Sequence, residues 1–412
     1  MGKRDDVACT EGKKLRVGVL SSHPIQYQVP WFRRLAEETD VKVFFAHRPN
    51  AAEQGQGFGR AFKWDLDLLS NYSHEFLRNV SRKPGTSHFS GCDTPDISTR
   101  IRERRYDAFI VNGWYLKCYW QAVAACRNNG IPVLVRGDSQ LMTPRSKLKE
   151  WIKEIAYRQM LKRFNGFLAV GLRNAEYLRH YGVQDEKIFP APHFIDNAWF
   201  ATNVARNHGI TRALKNNWQA SDRDLVILFV GKFIAEKRAT DLLRAVAALP
   251  EHIPCRLVFV GSGVEESKLR LLAAELGLVP AFPGFKNQSE LPSYYAAADV
   301  VVLPSGSETW GLVINEAMAC GSPAIVSDAC GCAPDLIDEG KTGFTFPVGN
   351  VDALAKCLFK MAEMKHAGYD WRPALSRKME KYSVTACTAG TLDAVRNVIA
   401  KTDKLPPSHV ED

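Results

Sequence analysis

The sequence predicts an α/β chain made of two Rossmann-like halves, each a parallel sheet covered by helices. Three observations lead there. Short apolar runs alternate with helical stretches along most of the 412 residues, the rhythm of repeated βαβ units. That rhythm runs through twice, with a proline-bearing break between the two series. The length suits two or three domains of roughly 150 residues each.

In the first series, Leu15–Leu20 is apolar and β-prone, Val29–Glu38 has helical periodicity, and Val41–Ala46 is again a strand. Asp107–Asn112, Val133–Val135 and Phe167–Val170 are further short apolar runs, separated by helical patterns at Cys118–Asn128, Lys147–Arg163 and Arg173–His180. The segment Ile188–Phe200, with Pro190 and Pro192, is the expected linker. The second series has strands at Leu225–Val230, Leu257–Val260, Val300–Leu303 and Ala324–Val326. Its helices are Thr240–Ala248, Glu265–Leu276, Leu291–Ala297 and Gly311–Cys320. The expected division is 1–196 and 197–386, with a last helix at Cys387–Ala400. Two parallel sheets of this kind bind ligands beyond the carboxyl ends of their strands.

Composition narrows the class. Hydrophobic residues make up 46% and charged residues 24% of the chain, as in a soluble globular protein. No run of eighteen apolar residues occurs, and the start, MGKRDDVACTEGKK, lacks the apolar core of a secretory signal. Position 6 is Asp, which argues against myristoylation. The expected location is the cytoplasm. Ten cysteines are scattered without a Cys-x-x-Cys pair; Cys330 and Cys332 are the only close ones. Free thiols in a reducing compartment fit this better than a metal site. A net charge of +9 draws an anionic partner: a nucleotide-sugar diphosphate or an anionic membrane surface. Nucleic acid is disfavoured, because no zinc-finger spacing, aromatic RNP-type run or basic tail is present.

The densest chemistry lies between Pro304 and Gly321. Glu308 falls at a strand-to-helix turn, and Glu316 follows about two helical turns later on a neighbouring face. Thr309, Gly311 and Leu312 would offer backbone N–H groups at the helix start, a seat for phosphate. The plainer reading is an amphipathic helix carrying two solvated glutamates. Upstream, Lys232 and Lys237 follow a strand and can reach a diphosphate, or else form an ordinary surface pair. Gly261 and Gly263 also follow a strand, but Glu266 stands where a dinucleotide fingerprint needs a third glycine; this is a tight turn.

These residues resemble the retaining glycosyltransferase family numbered 4, which has the two-domain GT-B fold. Its Pro-Ser, Glu-x7-Glu and Glu-Ala-Met-Ala-x-Gly-x-Pro signature is matched by Pro304, Ser305, Glu308, Glu316 to Ala319, Gly321 and Pro323. Gly231, Lys232, Phe233, Glu236 and Lys237 resemble its Gly-Arg-Leu…Glu-Lys-Gly segment. Gly331, Asp335 and Thr342 to Phe344 resemble its Gly…Glu…Thr-Gly-Phe tail. Pro192, Ile195, Asp196 and Phe200 resemble its interdomain turn, though Phe194 replaces a usual Gly. The match is dense over 225–350 and thin over 1–200. There, the His-Pro-Ile-Gln-Tyr run from His23 looks like a bacterial cell-surface polysaccharide subgroup.

The resemblance implies roles. Glu316 would hold the ribose, and Lys232 and Lys237 the diphosphate, with Thr309, Gly311 and Leu312 assisting. Glu308 would orient the transferred sugar. The first half would supply the acceptor side through His23, Trp114, Arg136 and Asp138. Trp114 reads equally well as a stacking platform or as core. Counting from Pro132, Asp138 stands where many members place a catalytic His, a departure that removes a cationic donor and leaves a carboxylate. Arg136 beside it would keep it ionised. No Asp-x-Asp metal clamp is suggested, so no cofactor is expected and metal-independent transfer is implied. The donor would be a UDP- or GDP-sugar, and the acceptor a saccharide or a lipid-linked one. A sugar-nucleotide 2-epimerase of the same fold and a non-catalytic nucleotide-sugar binder remain open. The basic helix 147–163 reads either as a core-packed helix with a solvated face or as a peripheral contact with an anionic membrane at its inner face.

Overall fold

The computed structural model describes residues 14–55, 57–142 and 147–402; of 147–153 it describes the backbone alone. The segments 1–13, 143–146 and 403–412, and the side chains of 147–153 on which part of the membrane reading of the basic helix rests, lie outside the described residues.

Among the described residues thirteen strands form two sheets, every pairing within them parallel. The first sheet holds β1 (Arg16–Ser21), β2 (Asp40–Phe45), β3 (Ser73–Phe76), β4 (Ala108–Val111), β5 (Val133–Gly137), β6 (Gly166–Ala169) and β7 (Ile188–Pro190). Their order is β3-β2-β1-β4-β5-β6-β7. The second holds β8 (Leu225–Lys232), β9 (Cys255–Ser262), β10 (Ala281–Gly284), β11 (Val300–Leu303), β12 (Ala324–Ser327) and β13 (Gly343–Phe346), in the order β10-β9-β8-β11-β12-β13. The central strands are buried along their length: β4, β6, β11 and β12 expose no residue. This is why they read as unbroken apolar runs rather than alternating ones, since helices cover both faces. The helices Val29–Glu38 and Leu291–Ala297 begin and end at the residues their periodicity predicts.

The expected linker Ile188–Phe200 needs correction. Its first three residues pair with Phe167–Ala169 as the seventh strand, and its end opens a helix, Asn197–Arg206, capped by the Asp196 carboxylate accepting from Trp199 N at 3.0 Å. Only the turn between remains irregular. Phe194 fits that turn because the backbone there keeps ordinary angles, with no positive φ, and its ring is buried in the first core.

The chain returns at its end. Helix Val384–Thr402 packs Cys387, Leu392, Val395 and Val398 into the core beneath Val17, Leu134 and Leu168 of the first sheet. Gly390 permits this approach: a Cβ there would lie 1.7 Å from the Pro190 carbonyl oxygen. Ile195 and Ser383 bridge where the two crossing segments meet. No helix among the described residues is long and apolar enough to cross a membrane.

Candidate active site

Each sheet reverses its strand order once, between β1 and β4 and between β8 and β11. Loops leaving neighbouring strands at such a reversal part to opposite faces and leave a crevice. The two crevices share one cleft of about 910 Å³. His23 enters it just after β1 and Asp138 just after β5; Lys232 ends β8, and Glu308 follows β11. Lys237, Thr309, Gly311, Leu312 and Glu316 line it as well. Topology thus brings nine residues, separated by up to 293 positions in sequence (23 to 316), to one surface.

On the second half, Lys237 Nζ and the Glu308 carboxylate form an ion pair at the cleft wall. Lys232 lies beside it; burial, and then the Lys237 charge, lower its pKa, against the opposing pull of Glu308. Glu316 is more enclosed, at 8% exposure. Its Oε2 accepts from Tyr295 OH at 2.6 Å and its Oε1 from Gln288 Nε2 at 3.1 Å. Burial raises its pKa, while these two donors favour the ionised form. A carboxylate oxygen accepts two hydrogen bonds, so each keeps one site for a hydroxyl. The helix Leu312–Ala319 starts at Gly311, whose φ of +105° and lack of room beside Leu303 require glycine. Its first amides have no intrahelical acceptor.

On the first half, His23 Nδ1 lies 2.9 Å from Ser22 Oγ. Burial, then His47, bring its pKa down to about 4, with Glu53 opposing. The ring is therefore neutral at pH 7 and can accept or donate, but is no imidazolium acid. The unfolded chain takes up a proton at this ring near 6.5 and the folded chain only near 4, so stability is complete above that window and is lost as pH falls through it. We expect the melting temperature to drop between pH 7 and 5. His23→Asn should remove about 1–2 kcal/mol of that loss, after discounting for the ring's partial exposure. Melts of both proteins across this range check it; equal slopes would place the effect elsewhere.

Two acceptor-side expectations are corrected. Arg136 does not line the cleft: it is 6% exposed and lies over the rings of Trp31 and Phe194. Alternation along β5 turns it away from the side that Gly137 presents. Asp138, one residue past the strand, has no ion pair with it among the described residues. Trp114 also lies off the cleft, stacked on Tyr177 with ring centroids 6.3 Å apart.

Other contacts escaped the sequence. Gln140 Nε2 donates to the Glu308 carbonyl at 2.9 Å, tying the loop of Asp138 to that of Glu308 across the cleft. Leu172 N donates to Asp335 at 3.1 Å, and Arg173 to the carbonyls of Asp328 and Cys330 at 2.6 and 2.8 Å. Phe58 and Phe62, from the segment between β2 and β3, pack on Phe285 with centroids 5.1 and 4.6 Å apart. Lys232 Nζ sits 5.2 Å above the Phe58 ring. No local pattern marks any of these, because each joins segments over 150 residues apart.

Comparison with known proteins accords with this arrangement. Residues 211–382 match the family model described as glycosyl transferases group 1. The chain is 35% identical to the sulfoquinovosyl transferase SQD2 of Arabidopsis thaliana over 178 residues, 38% of this chain and 33% of that protein. It is 29% identical to the D-inositol 3-phosphate glycosyltransferase of Nocardiopsis dassonvillei over 308 residues, 70% of this chain and 69% of that one. The chain thus spans about a third of the length of the Arabidopsis relative. Among solved structures, Anabaena Alr3699/HepE in complex with UDP and glucose superposes with a TM-score of 0.66 at 17% identity, covering 93% of this chain and 99% of that one. A glycosyltransferase from Rickettsia africae gives 0.73 at 14% identity, covering 94% and 99%. The match to the glycosyl transferases group 1 model thus falls on residues 211–382, most of the second half, and the two parallel sheets share the two-domain GT-B fold of these solved structures.

Proposed function

We propose that the chain is a retaining glycosyltransferase, moving a sugar from a nucleoside diphosphate sugar to a saccharide or lipid-linked acceptor in cell-surface polysaccharide or glycoconjugate synthesis. One observation carries this: a single cleft presents paired lysines, a buried carboxylate and a helix start on one wall and a histidine and an aspartate on the other. The relatives' names and the UDP and glucose in the Anabaena complex support the same class. In this reading Glu316 accepts from the ribose hydroxyls. Lys232 and Lys237 neutralise the leaving diphosphate with the amides of the helix beginning at Leu312. Glu308 positions the transferred sugar, and Asp138 and His23 face the acceptor. Lysines and the helix end stabilise charge on the leaving group without a metal.

A thermal-shift screen of UDP, GDP and ADP with their sugars tests this. One donor at a hundred times its dissociation constant should add roughly 2.7 kcal/mol of apparent stability. Glu316→Ala should weaken that binding by about 1.5–3 kcal/mol while keeping the fold. An unchanged affinity removes Glu316 from the site. Product and anomer analysis then separates transfer with retention from epimerisation or simple binding.

A further inference from the structure

His193 has no part in the roles assigned above. It follows β7, and its backbone N–H donates to the Val170 carbonyl at 2.9 Å, which anchors it at the carboxyl edge of the first sheet. The side chain lines the cleft and is 4% exposed. Tyr27, from the loop after β1, meets its ring edge-on at 6.0 Å. Trp310, between Thr309 and Gly311 of the second half, lies 5.0 Å away on another side. Trp310 is itself held by Nε1 donating to Asn315 Oδ1 at 2.8 Å. His193 therefore sits where both halves meet, one ring away from the segment that carries Glu308.

Neither His193 nitrogen has a hydrogen-bond partner, although both are buried. A neutral imidazole has one N–H to donate and one lone pair to fill, and leaving such a group unmet costs about 1–3 kcal/mol. A phenyl ring would pack between Tyr27 and Trp310 without that cost. Burial, and then the Arg136 charge, push the ring's pKa well below its ordinary value, so it stays neutral. Native proteins keep few such groups, and function is one reason to keep them.

We propose that His193 is a sugar-binding residue of the cleft, whose imidazole exchanges a hydrogen bond with a carbohydrate hydroxyl at the junction of the two halves. This rests on the glycosyltransferase reading and adds a contact to it. The hydroxyl belongs to the transferred sugar or to a saccharide acceptor, and the chemistry is the same for both. It reaches the ring beside Tyr27 and Trp310, which come from opposite halves of the cleft.

The test uses the full chain and three variants: His193→Phe, His193→Gln and His193→Ala. The probes are UDP-glucose, UDP-N-acetylglucosamine and GDP-mannose, each measured against its free nucleoside diphosphate. His193→Phe should keep or raise the melting temperature, because it removes two unmet polar atoms while preserving the ring contacts. It should lower kcat/KM for transfer by about 10-fold to 100-fold, and His193→Gln should recover part of that. His193→Ala, which loses ring and hydrogen bond together, should fall below both. If the hydroxyl is the donor's, His193→Phe lowers affinity for the nucleotide sugar but not for the free nucleotide. If it is the acceptor's, the donor ratio holds and the acceptor KM rises. A His193→Phe protein with wild-type kinetics overturns the proposal, and so does one whose melting temperature falls in step with its activity. Should the wild type bind none of these nucleotide sugars, the functional reading itself falls, and this contact with it.

Discussion

Lys237→Ala is expected to lower the transfer rate by about 10²–10³, the loss seen when one preorganised group facing developing charge is removed. The lysine does two things in this structure. Its charge lines the cleft, where the proposed reaction releases a diphosphate, and its ammonium holds the Glu308 carboxylate. Alanine removes both at once and leaves a largely enclosed carboxylate uncompensated, at a site where desolvation makes an unpaired charge costly. The neighbouring Lys232 does not take over, since among the described residues the ion pair to Glu308 is made by Lys237. Because the pair acts as a unit, Lys237→Ala combined with Glu308→Gln should be little worse than the more damaging single change. Lys232→Arg should keep most activity. Steady-state rates for the singles and the double, with and without EDTA, decide the matter. Activity abolished by EDTA but retained in Lys237→Ala would hand the role to a metal.

The fold was legible because its signals are local. Apolar runs such as Val300–Leu303 are buried on both faces, and their composition says so without reference to any partner. The missed strands are the edge ones. Ser73–Phe76 and Ala281–Gly284 are only partly buried, so they carry too little apolar pattern to stand out. Ile188–Pro190 was hidden by its proline, which an edge strand tolerates but a central one does not.

The second wall of the site was legible for a different reason. Lys232 ends β8, Lys237 closes the turn five residues later, Glu308 follows β11 and Glu316 lies within the next helix, a spacing that survives in sequence. The first wall was not. Arg136 and Asp138 are two residues apart, yet β5 ends between them, so one side chain goes to the core and the other to the cleft. Nothing in a chain of letters marks that boundary to within one residue. His193 was invisible for a related reason: its surroundings, Tyr27, Arg136 and Trp310, come from three distant segments.

Asp138→Asn is expected to cut kcat by roughly 10²–10⁴, the range for a positioned acid–base group, with donor affinity nearly unchanged. Asp138 is the first residue after β5 and lines the cleft from the first half. Its loop is tied to the opposite wall two residues later, where Gln140 donates to the Glu308 carbonyl. In the proposed reaction, a carboxylate held across the cleft from Glu308 would attract the positive charge that builds on the anomeric carbon more strongly than it attracts the uncharged sugar of the intact donor. Only such a difference raises the rate. Asparagine keeps the shape and the loop while removing the charge, so the loss should fall on kcat and leave the nucleotide affinity alone. The alternative is that Asp138 serves to fix the loop by pairing with Arg136. The structure argues against it, because Arg136 is buried over Trp31 and Phe194 instead. The melting temperature of Asp138→Asn should therefore stay close to that of the wild type. A variant that melts early and turns over within a few-fold of normal would return Asp138 to a structural role. One preparation assayed for both quantities distinguishes the outcomes, and Gln140→Ala completes the comparison: it loosens the loop without touching the charge, so its rate loss should be smaller than that of Asp138→Asn.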